Sequence, residues 1–166
     1  WGSDGVLIEK NVFRGARGIN DCCGAHIDFN CKNVIVQYNL SIDNEGGFVE
    51  ILGNNYNCCY RYNISVNDGA RVKGAEWPHP NGTMLKAQLD GKTLFLSSYT
   101  GNSPRSGPFN SYIYNNTVYV KEDMHSVFNF TRCADGALIA NNIFCILGPT
   151  KRASDEEGRN QPPPDA

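Results

Sequence analysis

Three short segments carry the residues best suited to chemistry: AHIDF (25–29), GFVEIL (47–52) and ARVKG (70–74). Their spacing nearly repeats, with 22 residues from Asp28 to Glu50 and 23 from Glu50 to Lys73. If Ile27, Val49 and Val72 face inward, the two-residue period of a strand sends the alternate residues outward. One outward column is then His26, Phe48 and Arg71, and the other is Asp28, Glu50 and Lys73. Carboxylates on neighbouring strands sit about 5 Å apart, which suits a retaining glycosidase. Glu50, with Lys73 beside it, is the expected nucleophile and Asp28 the expected acid. A lyase acting on a uronate would use the same groups differently. Lys73 or Arg71 would abstract the proton next to the carboxylate, and the acids would hold Ca²⁺. His26 can assist either route. Phe48, Phe95 and Trp77 offer flat apolar faces on which a sugar ring can stack. The alternative is an ordinary solvated sheet face, with Glu50–Lys73 as a cross-strand ion pair. Against it, Asp28 directly beside Glu50 is a repulsive arrangement.

The elements that position such columns follow from composition. Asn occurs 20 times and Gly 17 times in 166 residues, and both favour turns over helix interiors. Aromatic and β-branched residues fill the gaps, and no stretch carries a 3.6-residue apolar stripe. The chain reads as all-β. At this length one domain can bury a self-sufficient core. The 15 basic and 17 acidic residues leave a net charge of −2, so no field of one sign draws nucleic acid or an anionic membrane. No apolar run approaches the roughly 18 residues of a membrane span. The seven cysteines are an odd number without C-x-x-C spacing, so at least one thiol is free or pairs outside the chain, and buried thiols are expected ahead of disulfides and of a zinc site. No metal site is expected from them.

A repeat emerges when the asparagines are aligned. VLIEKNVF (6–13), VIVQYNLSI (34–42), CCYRYNISV (58–66), SYIYNNTVYV (111–120) and ALIANNIFCI (137–146) share an apolar strand, an Asn and a second strand. The aligned residues are Asn11, Asn39, Asn63, Asn116 and Asn142, at intervals of 28, 24, 53 and 26. The interval of 53 suggests a degenerate repeat near 86–96, and so about six units. A period in the twenties means a solenoid. Stacked Asn residues would pass amide hydrogen bonds from coil to coil. The inward column is expected to be Ile8, Val36, Tyr60, Ile113 and Ile139. The outward column beside it is Glu9, Gln37, Arg61, Tyr114 and Ala140. Residues 74–92 and 99–110 interrupt the repeat as loops. The domain is expected over 1–148, with 149–166 a C-terminal tail or linker. The Asp43, Asn44, Glu45, Asn67 and Asp68 turns are a weaker Ca²⁺ candidate.

YNLSIDNEGGFVEILGNN and YRYNISVNDGARVKG resemble the right-handed parallel β-helix repeat proteins of the pectate-lyase-like superfamily, over about residues 5–148. The resemblance implies a right-handed parallel β-helix, here of about six coils. It also implies a secreted or cell-surface protein acting on a polysaccharide or oligosaccharide. Glycoside hydrolysis is expected slightly ahead of polysaccharide elimination. No cofactor is expected, apart from Ca²⁺ in the lyase case. A non-catalytic β-helix module that binds glycan or builds a surface appendage is the alternative.

Overall fold

The computed structural model describes residues 1–101 and 104–153. Three parallel sheets run along a solenoid. The first stacks β1 (Leu7–Glu9), β3 (Ile35–Gln37), β6 (Cys59–Arg61), β11 (Tyr112–Tyr114) and β14 (Leu138–Ala140) in that order. The second stacks β2 (Val12–Arg14), β4 (Leu40–Ile42), β7 (Ile64–Val66), β12 (Thr117–Val120) and β15 (Ile143–Ile146). The third holds β5 (Gly47–Ile51), β10 (Lys92–Leu96), β13 (Ser126–Phe130) and β16 (Thr150–Ala153). Cys23 and Ile27 extend this third sheet through single bridges to Gly47 and Ile51. One antiparallel hairpin, β8 (Glu76–Pro78) with β9 (Met84–Lys86), projects from the third coil. Among the described residues no helix is long and apolar enough to cross a membrane.

The asparagine ladder forms as the spacing requires. The Oδ1 of Asn39 accepts from the backbone N–H of Asn11 and from its Nδ2. Asn63 does the same for Asn39, Asn116 for Asn63, and Asn142 for Asn116. Each Nδ2 also donates to a carbonyl of the preceding coil, from Asn39 to Ile8 through Asn142 to Ile113. The residue before each ladder Asn, namely Lys10, Tyr38, Tyr62, Asn115 and Asn141, has φ between 52 and 58°. That left-handed corner costs ordinary residues about 1 kcal/mol or more. The ladder bonds at the next position offset it, and they satisfy amides that the turn would otherwise bury bare.

The direct Asn63–Asn116 bonds show that no further rung lies in the 53-residue interval. The expected degenerate repeat near 86–96 is instead the third strand of the third coil, and the hairpin supplies the extra length. Both long sheets accordingly have five strands. At the C-terminal end β16 pairs with β13, so the third sheet runs past the expected 148/149 boundary. Residues 154–166 of the expected tail lie outside the described residues.

The inward column Ile8–Val36–Tyr60–Ile113–Ile139 is in register as expected. Outside it, Glu9, Gln37, Arg61 and Tyr114 form a chain of hydrogen bonds. Val49, Ile51, Leu94 and Leu96 close the core from the third sheet, each essentially inaccessible. Tyr60 crosses the interior. Its hydroxyl lies 3.0 Å from the Ala25 carbonyl and 3.3 Å from that of Glu50, fixing the third sheet's backbone from inside. A second ladder joins Asn44 to Asp68. The backbone N–H and Nδ2 of Asn44 both donate to Asp68 Oδ1, and Ser65 donates to Oδ2. Burial pushes the Asp68 carboxyl above its ordinary value, against the pull of these donors. Asn44 and Asp68 are each 1% exposed, so these two members of the turn are interior structure.

Candidate active site

A pocket of about 280 Å³ opens on the outer face of the third sheet. Three successive coils build it. The first supplies Trp1, Asn20, Asp21, His26, Asp28 and Phe29; the second supplies Glu50 and Leu52; the third supplies Leu89, Lys92, Phe95, Ser97 and Tyr99.

Register decides which side chains meet. Ile27 bridges to Ile51, not to Val49. His26 therefore stands opposite Glu50, and Asp28 lies one position further along, level with Leu52. On the other side Phe95 pairs with Glu50. The observed outward row is thus His26, Glu50 and Phe95, and the expected column Asp28–Glu50–Lys73 is not formed. The slip is of two residues. It keeps the same residues inward, so the apolar pattern is satisfied either way.

His26, Asp28 and Glu50 are nonetheless brought together. His26 Nε2 lies 3.7 Å from Glu50 Oε1 and 4.0 Å from Asp28 Oδ1. Asp28 Oδ1 also accepts the backbone N–H of Phe29. Glu50 is 5% exposed and forms the pocket floor. Its second oxygen accepts the Cys23 thiol at 2.7 Å. Burial, and then the Glu50 carboxylate, push the Cys23 thiol well above its ordinary value, so Cys23 is a donor here and not a nucleophile.

The other expected residues have different places. Arg71 is buried, and its guanidinium is engaged by backbone carbonyls: Nε donates to Leu89, and one terminal nitrogen to Asp21 and Gly18. It clamps the loop carrying Asp21 to the segment before β10. Lys73 is exposed on the approach to the hairpin, where its backbone N–H donates to Asp90, and it does not line the pocket. Phe48 turns inward and packs edge-on against Tyr60 at 6.0 Å, so it is core and offers no face to a ligand. Trp77 lies in the hairpin opposite Leu85, away from the pocket. Phe95 lines the pocket as expected.

Sequence reasoning missed Asp21, Cys23, Lys92, Tyr99 and Trp1. Lys92, which pairs with Gly47 three positions before Phe95, is the lysine that lines the pocket. It is 3% exposed, donates to the Asp90 carbonyl, and sits 4.4 Å from the centre of the Phe95 ring. A signal for it existed. Gly46 and Gly91 begin the similar segments GGFVEIL and GKTLFL. A Cβ at either position would collide with backbone of a neighbouring coil, 1.7 Å from Asp21 O and 2.3 Å from Glu45 O. Aligning these glycines pairs Phe95 with Glu50 and brings in Lys92. Asp21 and Cys22 have φ of 39° and 65°, a left-handed pair that no apolar period reveals.

Asp21, His26 and Glu50 each place one ligand atom within 4.8 Å of the others. The donors are one imidazole nitrogen and two carboxylates. Ca²⁺ takes six to eight oxygen ligands, and this set with its imidazole does not fit it. Comparison of the chain with protein-family models, with curated proteins and with solved structures gives no match.

Proposed function

We propose that the pocket binds an acidic polysaccharide and cleaves its glycosidic bonds by β-elimination. The observation that carries this reading is a pocket shared by three coils, with Lys92 on one strand and His26 and Glu50 converging on its neighbours. In the reaction the Lys92 side chain takes the proton on the carbon next to the uronate carboxylate. The C–O bond to the leaving sugar breaks, a carbon–carbon double bond forms, and the leaving oxygen takes a proton from solvent water. The Lys92 Nζ lies over the Phe95 ring, which holds it in place. Trp1, stacked on Phe29 at 5.7 Å, and Tyr99, edge-on to Phe29, give the rim aromatic surface for sugar rings. The solenoid with its asparagine ladder supports the finer reading of a right-handed parallel β-helix of the pectate-lyase-like kind. A secreted or surface location goes with such a substrate.

Hydrolysis, favoured by sequence alone, is the second reading. It is supported by Asp21 and Glu50, whose carboxylate oxygens lie within 4.8 Å, near the separation in retaining glycosidases. Elimination is preferred because Asp21, Glu50 and His26 converge on one point, whereas an acid and a nucleophile must flank a bond. A polysaccharide panel tests the reading, with unsaturated-uronate absorbance and reducing ends followed together. Both rise on an acidic polysaccharide if the reading holds. Reducing ends alone mean hydrolysis, and neither signal leaves a non-catalytic binding module.

A further inference from the structure

We propose that Asp21, His26 and Glu50 form a binding site for one divalent transition-metal ion of the zinc class, with a fourth position open to the pocket. The inference rests on the elimination reading only for its purpose, which is to receive the substrate's carboxylate. Its geometry stands alone.

Three ligand atoms lie within 4.8 Å of one another. His26 Nε2 and Glu50 Oε1, at 3.7 Å, are close to the separation of roughly 3.4 Å set by two ligands at zinc–nitrogen and zinc–oxygen distances in a tetrahedron. His26 Nε2 is inaccessible to solvent and has no hydrogen-bond partner; it lies 3.7 Å from Glu50 Oε1 and 4.0 Å from Asp28 Oδ1, with an Asp21 oxygen within 4.8 Å. Such an atom needs an explanation, and a bound cation supplies one. One nitrogen with two carboxylate oxygens selects borderline transition ions over Ca²⁺ or Mg²⁺. Three protein ligands with an open fourth position is the pattern of catalytic rather than structural zinc.

The surroundings hold the ligands in place. The Cys23 thiol donates to Glu50 Oε2 and leaves Oε1 directed at His26. Arg71 binds the Asp21 carbonyl and so fixes the loop carrying the third ligand. Both act as positioning residues of the kind that orients metal ligands. A uronate carboxylate in the open position would have its charge neutralised, and the adjacent C–H would become acidic enough for Lys92.

The test is titration of the full chain with Zn²⁺ by calorimetry, after dialysis against chelator, with Ca²⁺ as competitor and circular dichroism as the check on folding. One Zn²⁺ per chain is expected, undisplaced by a large excess of Ca²⁺. Cys23→Ser should weaken binding about tenfold, and His26→Ala and Asp21→Asn should weaken it further. Asp21 is exposed, so Asp21→Asn decides the matter should His26→Ala not fold. Lys92→Met should bind Zn²⁺ like the wild type. Zinc that stays bound in folded Asp21→Asn, or that Ca²⁺ displaces, overturns the site. Zinc bound without cleavage of any polysaccharide defeats the functional reading and leaves the metal site standing. Cleavage by protein that binds no zinc does the reverse.

Discussion

Glu50 and Phe95 are direct neighbours on adjacent strands of the third sheet although 45 positions separate them in the chain. The intervening length is one coil plus the β8–β9 hairpin, so the coil path stays regular while an insertion leaves it. This pairing brings Lys92 into the pocket and leaves Lys73 outside it.

The asparagine ladder should be strongest at its middle. Asn63 is 1% exposed and bonds to coils on both sides. Asn63→Ala would orphan the Val36 carbonyl and two donors of Asn39, at a cost of about 3 kcal/mol. Asn11, at the exposed end, should cost less than about 1 kcal/mol. Urea unfolding measures both, and equal losses would mean that the ladder does not carry the stability ascribed to it.

Lys73 and Arg71 should separate cleanly. Lys73→Ala is expected to leave activity unchanged and stability within about 0.5 kcal/mol. Arg71→Met removes charged hydrogen bonds to the part-buried carbonyls of Leu89 and Asp21 and should cost about 3 kcal/mol. Thermal melts and rates on the same samples decide. A Lys73→Ala variant that is folded but inactive would return the site to the column read from sequence.

Asp68 gives a pH dependence of defined sign. Its folded-state affinity for a proton is raised, so the stability it contributes is full below its unfolded value near 3.8 and is lost as pH rises through the folded value. Asp68→Asn keeps an acceptor for Asn44 and removes the buried charge. The variant should be at least as stable as the wild type at pH 7, and its advantage should shrink in acid. An advantage that grows in acid would mean that the carboxylate is stabilised by its donors after all.

The thiols should differ widely in reactivity. All seven cysteines are free. Burial pushes Cys58 up to about 11 and Cys23 well above its ordinary value, while Cys145 is exposed. In native protein at mild alkaline pH, Cys145 should be alkylated first, and Cys58 only on unfolding. Peptide mass mapping over time checks the order.

The fold was legible because its signal is a polar residue at a fixed period, Asn39 to Asn63 to Asn116, and a buried amide tolerates no slip. The pocket was half legible for a definite reason. AHIDF and GFVEIL each alternate, and a shift of two residues leaves Ala25, Ile27, Val49 and Ile51 all inward. Period two fixes the face a residue occupies but not its neighbour on the next coil. His26, Asp28 and Glu50 are therefore legible as a group in the sequence, while their columns depend on the register. Phe48 departs from the alternation of its strand and packs on Tyr60, next to Gly47 with φ of 146°. Lys92 was missed because the hairpin broke the count from Glu50.

In the proposed reaction Lys92 and the Glu50 row act together on an acidic polysaccharide. The most direct measurement is the rate of unsaturated-uronate formation by Lys92→Met, on whichever acidic polysaccharide the wild type cleaves. Met keeps a flexible stem over the Phe95 ring and removes the amine. A fall of roughly 10³-fold or more is expected in a variant that stays folded and still binds Zn²⁺. Unsaturated product formed at the wild-type rate by folded Lys92→Met would contradict it.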